Sequence, residues 1–208
     1  MKLIKQVLLV LVLLFANYAI ADPEAGKDYQ VLSPAQPTHS GNKIEVLEFF
    51  FYGCIHCYHL NPLIGAWEKQ LPKDVEFTYV PAIFNPTWEV SARTFYALEF
   101  LGIRAKLHDD LFNAWNSNIE LVDEATTTDF LAKHGVDSKK FGDAYNSFSM
   151  QSQVLRAKQM EQTYGIRGTP TLVVDGKYII SGLRPEDTMQ VLNALVDKAR
   201  KERRTGKK

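Results

Sequence analysis

The sequence predicts an α/β protein: a mixed β-sheet flanked by helices and interrupted by an inserted all-helical segment. Three observations carry this expectation. Strand-like and helix-like patterns follow one another as β-α-β near the start and α-β-β-α near the end, an order that packs as a parallel βαβ unit joined to a hairpin. Between them, from Asn85 to Gly165, the pattern is helical throughout. Hydrophobic residues make up 46% and charged residues 23% of the 208-residue chain, the balance of a globular protein with a full core.

The elements follow in order. Tyr29 to Leu32 reads as a short strand, set off by the turn-rich stretch SPAQPTHSGNK. Ile44 to Phe51, IEVLEFFF, is β-branched, aromatic and nearly continuous in its apolar character, as a strand buried on both faces is. Gly53 ends it. From Cys54 to about Gln70 the apolar residues Leu60, Leu63, Ile64 and Trp67 recur at helical spacing. Val75 to Pro81 alternates like a strand. Within the helical block, Trp88 to Leu101 and Ile103 to Trp115 read as helices. A short helix capped by Thr128 or Asp129 ends at Gly135, another starts at Asp137 or Ser138, and a last one runs from Gln151 to Tyr164. Thr171 to Val174 and Tyr178 to Ser181 flank Asp175-Gly176, a strong hairpin signal. Pro185 opens a closing helix from about Glu186 to Lys201. The expected division is residues 1–21 as a signal peptide, 22–84 and 158–208 as the sheet domain, and 85–157 as the helical insertion.

The first 21 residues carry Lys2 and Lys5, a wholly apolar run from Val7 to Ala16, and Ala19-Ile20-Ala21 before Asp22. That is the layout of a cleaved secretory signal, and the apolar run is about half the ~20 residues a bilayer span needs. The mature protein is therefore expected outside the cytoplasm. Lys+Arg and Asp+Glu both count 24, which argues against nucleic acid as a partner, since phosphate binding draws on an excess of cations. The basic end KARKERRTGKK reads as a solvated, fraying tail.

Cys54 and Cys57, in FFFYGCIHCY, are the only cysteines. In an exported protein cysteines usually become structural disulfides, yet closing a four-residue loop contributes only about 2 kcal/mol. A metal half-site is the second possibility, with His56 and His59 close by. A structural zinc site needs a further ligand pair, and His39, His108 and His134 are isolated in sequence, so no metal is expected. A redox couple fits best. At a helix start Cys54 meets free N–H groups and the positive end of the dipole, about 0.3–1 kcal/mol and up to ~2 when partly buried, and His56 can add to this. Cys54 is then the low-pKa nucleophile and Cys57, one turn deeper, the resolving thiol. Stabilising the reduced form makes the disulfide the stronger oxidant.

C-x-x-C between a strand and a helix, Pro62 inside that helix, and Gly168-Thr169-Pro170 before a strand resemble the thioredoxin fold. With the helical insertion and the secretory signal, the chain resembles the DsbA family of periplasmic thiol:disulfide oxidoreductases over its whole mature length. The resemblance implies a thioredoxin-like mixed sheet with an inserted all-helical domain, and the introduction of disulfide bonds into exported proteins through a Cys54–Cys57 disulfide without a cofactor. It implies His56 as a stabiliser of the thiolate, Thr169 and Pro170 as a cis-proline loop that pairs with substrate, and Glu48 as a buried acid that relays protons to Cys57. It implies unfolded or reduced exported proteins and a DsbB-type quinone-linked membrane oxidase as partners, in the periplasm; with no dimerisation segment visible, a monomer is the default expectation. Apolar residues at the site, Phe51, Tyr52 and Ile55, are expected to hold substrate chains. Three positions depart from the pattern: Ile55 stands where the best-known oxidases carry proline, Tyr79 about where a lysine partners the buried acid, and Thr169 where valine is common. Ile55 and Thr169 keep a disulfide isomerase or reductase of the same fold as the alternative, with a metal-binding or chaperone-like module as an alternative of another class.

Overall fold

A computed structural model describes residues 22–206 apart from 118 and 120; the expected signal peptide lies outside the described residues. Among the described residues, five strands and seven helices follow in the order β1 (Gln30–Val31), β2 (Ile44–Phe50), α1 (Ile55–Glu68), β3 (Val75–Pro81), α2 (Pro86–Phe100), α3 (Arg104–Asn116), α4 (Glu124–Lys133), α5 (Ser138–Tyr145), α6 (Phe148–Tyr164), β4 (Thr171–Val174), β5 (Tyr178–Ser181) and α7 (Pro185–Arg204). The strands form one sheet in the order β1-β5-β4-β2-β3. β2 runs parallel to β3 and antiparallel to β4, and β5 continues antiparallel on both sides. This is the mixed sheet expected from sequence.

β2 is central, and all seven of its residues are buried. Alternation along a strand sends Val46, Glu48 and Phe50 to one face and Leu47 and Phe49 to the other. The Phe50 ring meets Phe95 of α2 and His108 and Phe112 of α3. Tyr79 of β3 joins the same cluster, and Trp67 of α1 packs on Phe77 beside it. On the opposite face Phe49 meets Tyr164 of α6. α1 is held to α7 by Trp67, whose indole N–H donates to Asn193 at 3.0 Å. The Asp175-Gly176 turn has positive φ at both residues, 55° and 66°, which is what a two-residue hairpin needs.

Several helix limits differ from the sequence reading, and capping explains most of them. α4 begins at Glu124, capped by Asp123, not by Thr128 or Asp129. Asp123 accepts from the Thr126 N–H at 2.8 Å, and the Thr126 hydroxyl receives the Asp123 N–H at 3.3 Å, a reciprocal cap with threonine in place of the usual Glu or Gln. α2 starts at Pro86 because Asn85 caps it, and α6 starts at Phe148 because Ser147 accepts from the Met150 N–H at 3.1 Å. Residues 157 and 158, between which the expected insertion ends, both lie inside α6. The basic end is not a fraying tail as far as Arg204. α7 stays helical there because Arg200 pairs with Asp74 and Arg203 with Asp175.

Candidate active site

β2 ends in the core and hands the chain to α1 through Phe51-Tyr52-Gly53. The Cys54 N–H donates to the Phe51 carbonyl at 3.0 Å, and the Tyr58 N–H to the Cys54 carbonyl at 2.9 Å. Gly53 is required here by crowding. A Cβ at this position would lie 2.5 Å from the Phe51 ring and 3.0 Å from Trp115. Phe51 stacks on Trp88 at 4.0 Å, and Phe84 closes on Trp88 from outside at 4.9 Å. These aromatics buttress the turn that presents Cys54.

Cys54 is the N-cap of α1, with extended backbone and its sulfur accepting from the Cys57 N–H at 3.4 Å. Both cysteines are free thiols, Cys54 half-buried and Cys57 fully buried. The Cys54 thiol is lowered to about 5. The hydrogen bond from the Cys57 thiol contributes most; burial opposes it, and donors from Thr169 and from the Cys57 and His56 backbone N–H groups add to it. In the thiol form Cys54 donates to the Thr169 carbonyl at 3.3 Å; on ionisation that bond is lost while the donors onto sulfur remain. Burial, reinforced by the hydrogen bond to Cys54, pushes Cys57 well above the ordinary thiol value. A pair split this way has one good leaving group and one thiol that must be handed a proton whenever it leaves.

The Thr169–Pro170 peptide is cis. Its loop reaches the cysteines because Thr171 is in register with Phe49 of β2 and its hydroxyl donates to the Gly168 carbonyl at 2.8 Å. Thr169, Pro170 and Thr171 line a cleft of about 540 Å³ with Arg167, Ile179 and Ser181. Glu48 lies beneath the cysteines, 1% exposed. Burial raises its carboxyl to about 8, with the charges of Cys54 and Glu68 adding to the effect. Its Oε2 has no hydrogen-bond partner among the described residues. His56 is exposed and touches Cys54 through its backbone N–H.

The structure thus brings Cys54, Cys57, Glu48, Thr169 and Pro170 together, with the His56 ring on the outside. It corrects one expectation. Phe51 and Tyr52 are 7% and 0% exposed, so they cannot hold a substrate chain; they are structural supports of the turn. The exposed apolar residues on this rim are Ile55 and Phe84, 47% and 43% exposed. Phe84, Trp88, Trp115 and His108 were not singled out from sequence as site residues, because nothing in their local pattern separates them from ordinary helix and loop residues. Among the described residues, no group of three or more His, Cys, Asp or Glu is placed to hold a metal ion, and no helix is long and apolar enough to cross a membrane.

A thiol pair split in this way at a helix start, on a five-stranded mixed sheet carrying a helical insertion, defines a thioredoxin-fold thiol:disulfide oxidoreductase. Comparison with known proteins gives the family. The model of the DSBA-like thioredoxin domain matches residues 87–192. The thiol:disulfide interchange protein DsbA of Pseudomonas aeruginosa is 40% identical over 204 residues, covering 96% of this chain and 97% of its own. The protein of that name from Azotobacter vinelandii is 40% identical over 184 residues, 86% of each chain. Among solved structures, Pseudomonas aeruginosa DsbA superposes with a TM-score of 0.83 at 39% identity, over 89% of this chain and 97% of that one. The oxidoreductase DsbA from Xylella fastidiosa superposes with a TM-score of 0.81 at 32% identity, over 86% and 99%. The chain belongs to the DsbA family of thiol:disulfide interchange proteins.

Proposed function

We propose that the protein runs in the disulfide-forming direction on reduced, exported proteins in the periplasm, using Cys54–Cys57. The observation that carries this is the unlike placement of the two thiols: Cys54 caps α1 and collects donors on its sulfur, while Cys57 is fully buried one turn on. Lowering Cys54 from 9.0 to about 5 stabilises the reduced form at pH 7 by at most about 2.7 kcal/mol, close to 60 mV for a two-electron couple; solvent screening at this half-exposed sulfur reduces that figure. A reduced state favoured in this way makes the disulfide oxidising.

In the cycle, a substrate thiolate attacks the Cys54 sulfur and Cys57 leaves. Glu48, protonated below a pKa of about 8, supplies the proton the buried Cys57 thiolate needs. A second substrate thiolate then attacks the substrate sulfur of the mixed disulfide, and Cys54 leaves as a stable thiolate. Two electrons pass from the substrate dithiol to the protein. In the return direction Glu48 takes the proton from Cys57, and a DsbB-type membrane oxidase of quinone-linked chemistry accepts the electrons. The His56 ring adds to the field at Cys54, and Thr169-Pro170 offers backbone to an extended substrate. Residues 1–21 are a cleaved export signal, residues 22–84 and 158–208 form the thioredoxin-like domain and 85–157 the insertion, and the protein works as a monomer.

The test is a pair of substitutions. Cys54→Ser is expected to abolish oxidation of a reduced substrate, and Cys57→Ser, in a chain carried through export, to accumulate mixed disulfides at Cys54. Full oxidase activity in Cys54→Ser contradicts the assignment. Thr169 and Ile55 leave an isomerase or reductase as the second reading; reactivation of a scrambled substrate by the reduced protein, faster than dithiol oxidation by the oxidised one, would favour it.

A further inference from the structure

His108 is a buried titratable group that the exchange cycle does not use. It lies on α3, 5% exposed, inside a cage of Phe50, Tyr52, Tyr79, Phe95 and Phe112 with ring centroids 4.7 to 6.4 Å away. The Tyr52 hydroxyl and His108 Nδ1 are 2.9 Å apart. That nitrogen is the only partner of the Tyr52 hydroxyl among the described residues. Burial holds the phenol in its protonated form, so it must place its O–H somewhere, and Nδ1 is the acceptor. Burial, helped by the Arg104 charge, lowers His108 to about 3, so the ring is neutral. With Nδ1 accepting, its single proton sits on Nε2.

Nε2–H is then a buried donor without an acceptor. Among the described residues the buried side-chain atoms lacking any hydrogen-bond partner are two, His108 Nε2 and Glu48 Oε2. Both border the same side chain. Glu48 is in register with Tyr79 on the neighbouring parallel strand, and the His108 ring lies 4.7 Å from the Tyr79 ring. One atom is a donor and the other an oxygen of an acid. Leaving either unpaired in the core costs about 1–3 kcal/mol.

We propose that His108 Nε2–H donates, through one bound water, to Glu48 Oε2, and so supports the ionised form of Glu48 in a pocket where, among the described residues, no cation pairs with it. The groups facing Glu48 fit this need. α1 presents Cys54, Cys57 and Glu68, of which the Cys54 thiolate and Glu68 both oppose a negative charge on Glu48. β3 presents Tyr79, whose hydroxyl is turned to Glu68 at 3.4 Å. α3 presents Arg104 and His108, but the Arg104 guanidinium lies over the Tyr79 ring at 4.9 Å and is paired with Glu99 of α2. Tyr52 is committed to His108. A neutral N–H is what remains to receive the carboxylate. His108 is therefore a positioning residue for the proton that travels between Glu48 and Cys57, and this role rests on the relay proposed for Glu48.

The test follows the Glu48 carboxyl carbon by NMR against pH in the reduced full-length mature protein, together with the rate at which Cys57 attacks a mixed disulfide at Cys54. His108→Phe removes the donor, and His108→Gln keeps an N–H at the reach of Nε2. The Phe variant is expected to raise the Glu48 midpoint by about one pH unit and to slow the Cys57 step about tenfold at pH 7, the size of one hydrogen bond to a charged group. The Gln variant should stay near the wild-type midpoint, and the Cys54 thiolate absorbance should titrate unchanged in both. Equal midpoints in Phe and Gln variants, whether shifted or not, overturn the inference. If His108→Phe does not fold, Tyr52→Phe frees the imidazole proton to move to Nδ1 and should raise the midpoint by a smaller amount; an unchanged midpoint there overturns it equally. Glu48→Gln separates the two levels. If it leaves the pH profile of the Cys57 step intact, the relay itself fails; if it removes the profile while the His108 variants do not move it, only the His108 assignment fails.

Discussion

Cys54 and Cys57 share one turn of helix yet have pKa values shifted in opposite directions, and the reason is how each meets the helix start. Cys54 stands outside the first turn and collects N–H and S–H donors, while Cys57 is buried beneath it and collects none of comparable number. Glu48 is the third member, and its burial has a thermodynamic consequence. Its carboxyl is raised from 4.5 to about 8 in the fold. A raised acid leaves stability untouched below its unfolded pKa and costs progressively more as pH rises through the folded value. Glu48→Gln should therefore stabilise the reduced protein by about 3 kcal/mol at pH 7, with almost no gain near pH 4 and a growing one toward pH 8, checked by denaturant titrations across that range. A pH-independent gain, or a loss, contradicts the burial of an ionisable Glu48. Both cysteines and Glu48 were legible in the sequence, the first two from spacing and the third as an acid in an apolar strand. His108 was not, because its meaning depends on Tyr52, 56 residues away in sequence, and on Tyr79 of strand β3.

At the scale of elements, α1 shows why Ile55 can depart from proline without harm to the site. Ile55 is the first helical residue, where a backbone N–H has no acceptor inside the helix. Cys54 before it has φ −85° and ψ 115°, the extended backbone that a following proline demands. Ile55→Pro should thus raise stability by about 0.4–1 kcal/mol by restricting the unfolded chain. It should move the Cys54 pKa by only a few tenths, since the backbone donors onto its sulfur belong to His56 and Cys57. Thermal unfolding and thiolate absorbance check both parts, and a shift of a full unit in the thiol would show that Ile55 tunes it. The strands were legible almost to the residue, because β2 is apolar on both faces and Asp175-Gly176 marks the hairpin. Helix starts in the insertion were less so: α2 and α6 begin at Asn85 and Ser147 caps that lie ahead of the first strongly apolar turn, and α4 begins at an Asp–Thr reciprocal cap.

For the whole molecule, the last helix does more than close the chain. Arg203 sits between Asp175 at the hairpin turn, the Thr38 hydroxyl at 3.3 Å and the Gly41 carbonyl at 3.2 Å, so α7 ties the N-terminal segment to the sheet. Arg203→Ala should cost about 2 kcal/mol, as the loss of hydrogen bonds to a half-screened charge does, and should leave dithiol oxidation unchanged; loss of activity at full stability would place this corner in the catalytic cycle. The mixed sheet and its helical insertion followed from the order of patterns alone, whereas the aromatic buttress of Phe51, Trp88 and Trp115 behind Gly53 appears only when β2, α2 and α3 converge. That convergence holds Cys54 at its donors, and the reduction potential of the Cys54–Cys57 couple, measured from pH 4 to 8, reads the outcome most directly. With Cys54 ionised above about pH 5, the potential should lie well above the roughly −270 mV of thioredoxin and fall by about 30 mV per pH unit between pH 6 and 8, one proton for two electrons. A potential near −270 mV that falls by about 59 mV per unit throughout that range would mean that Cys54 stays a thiol, and would contradict the account.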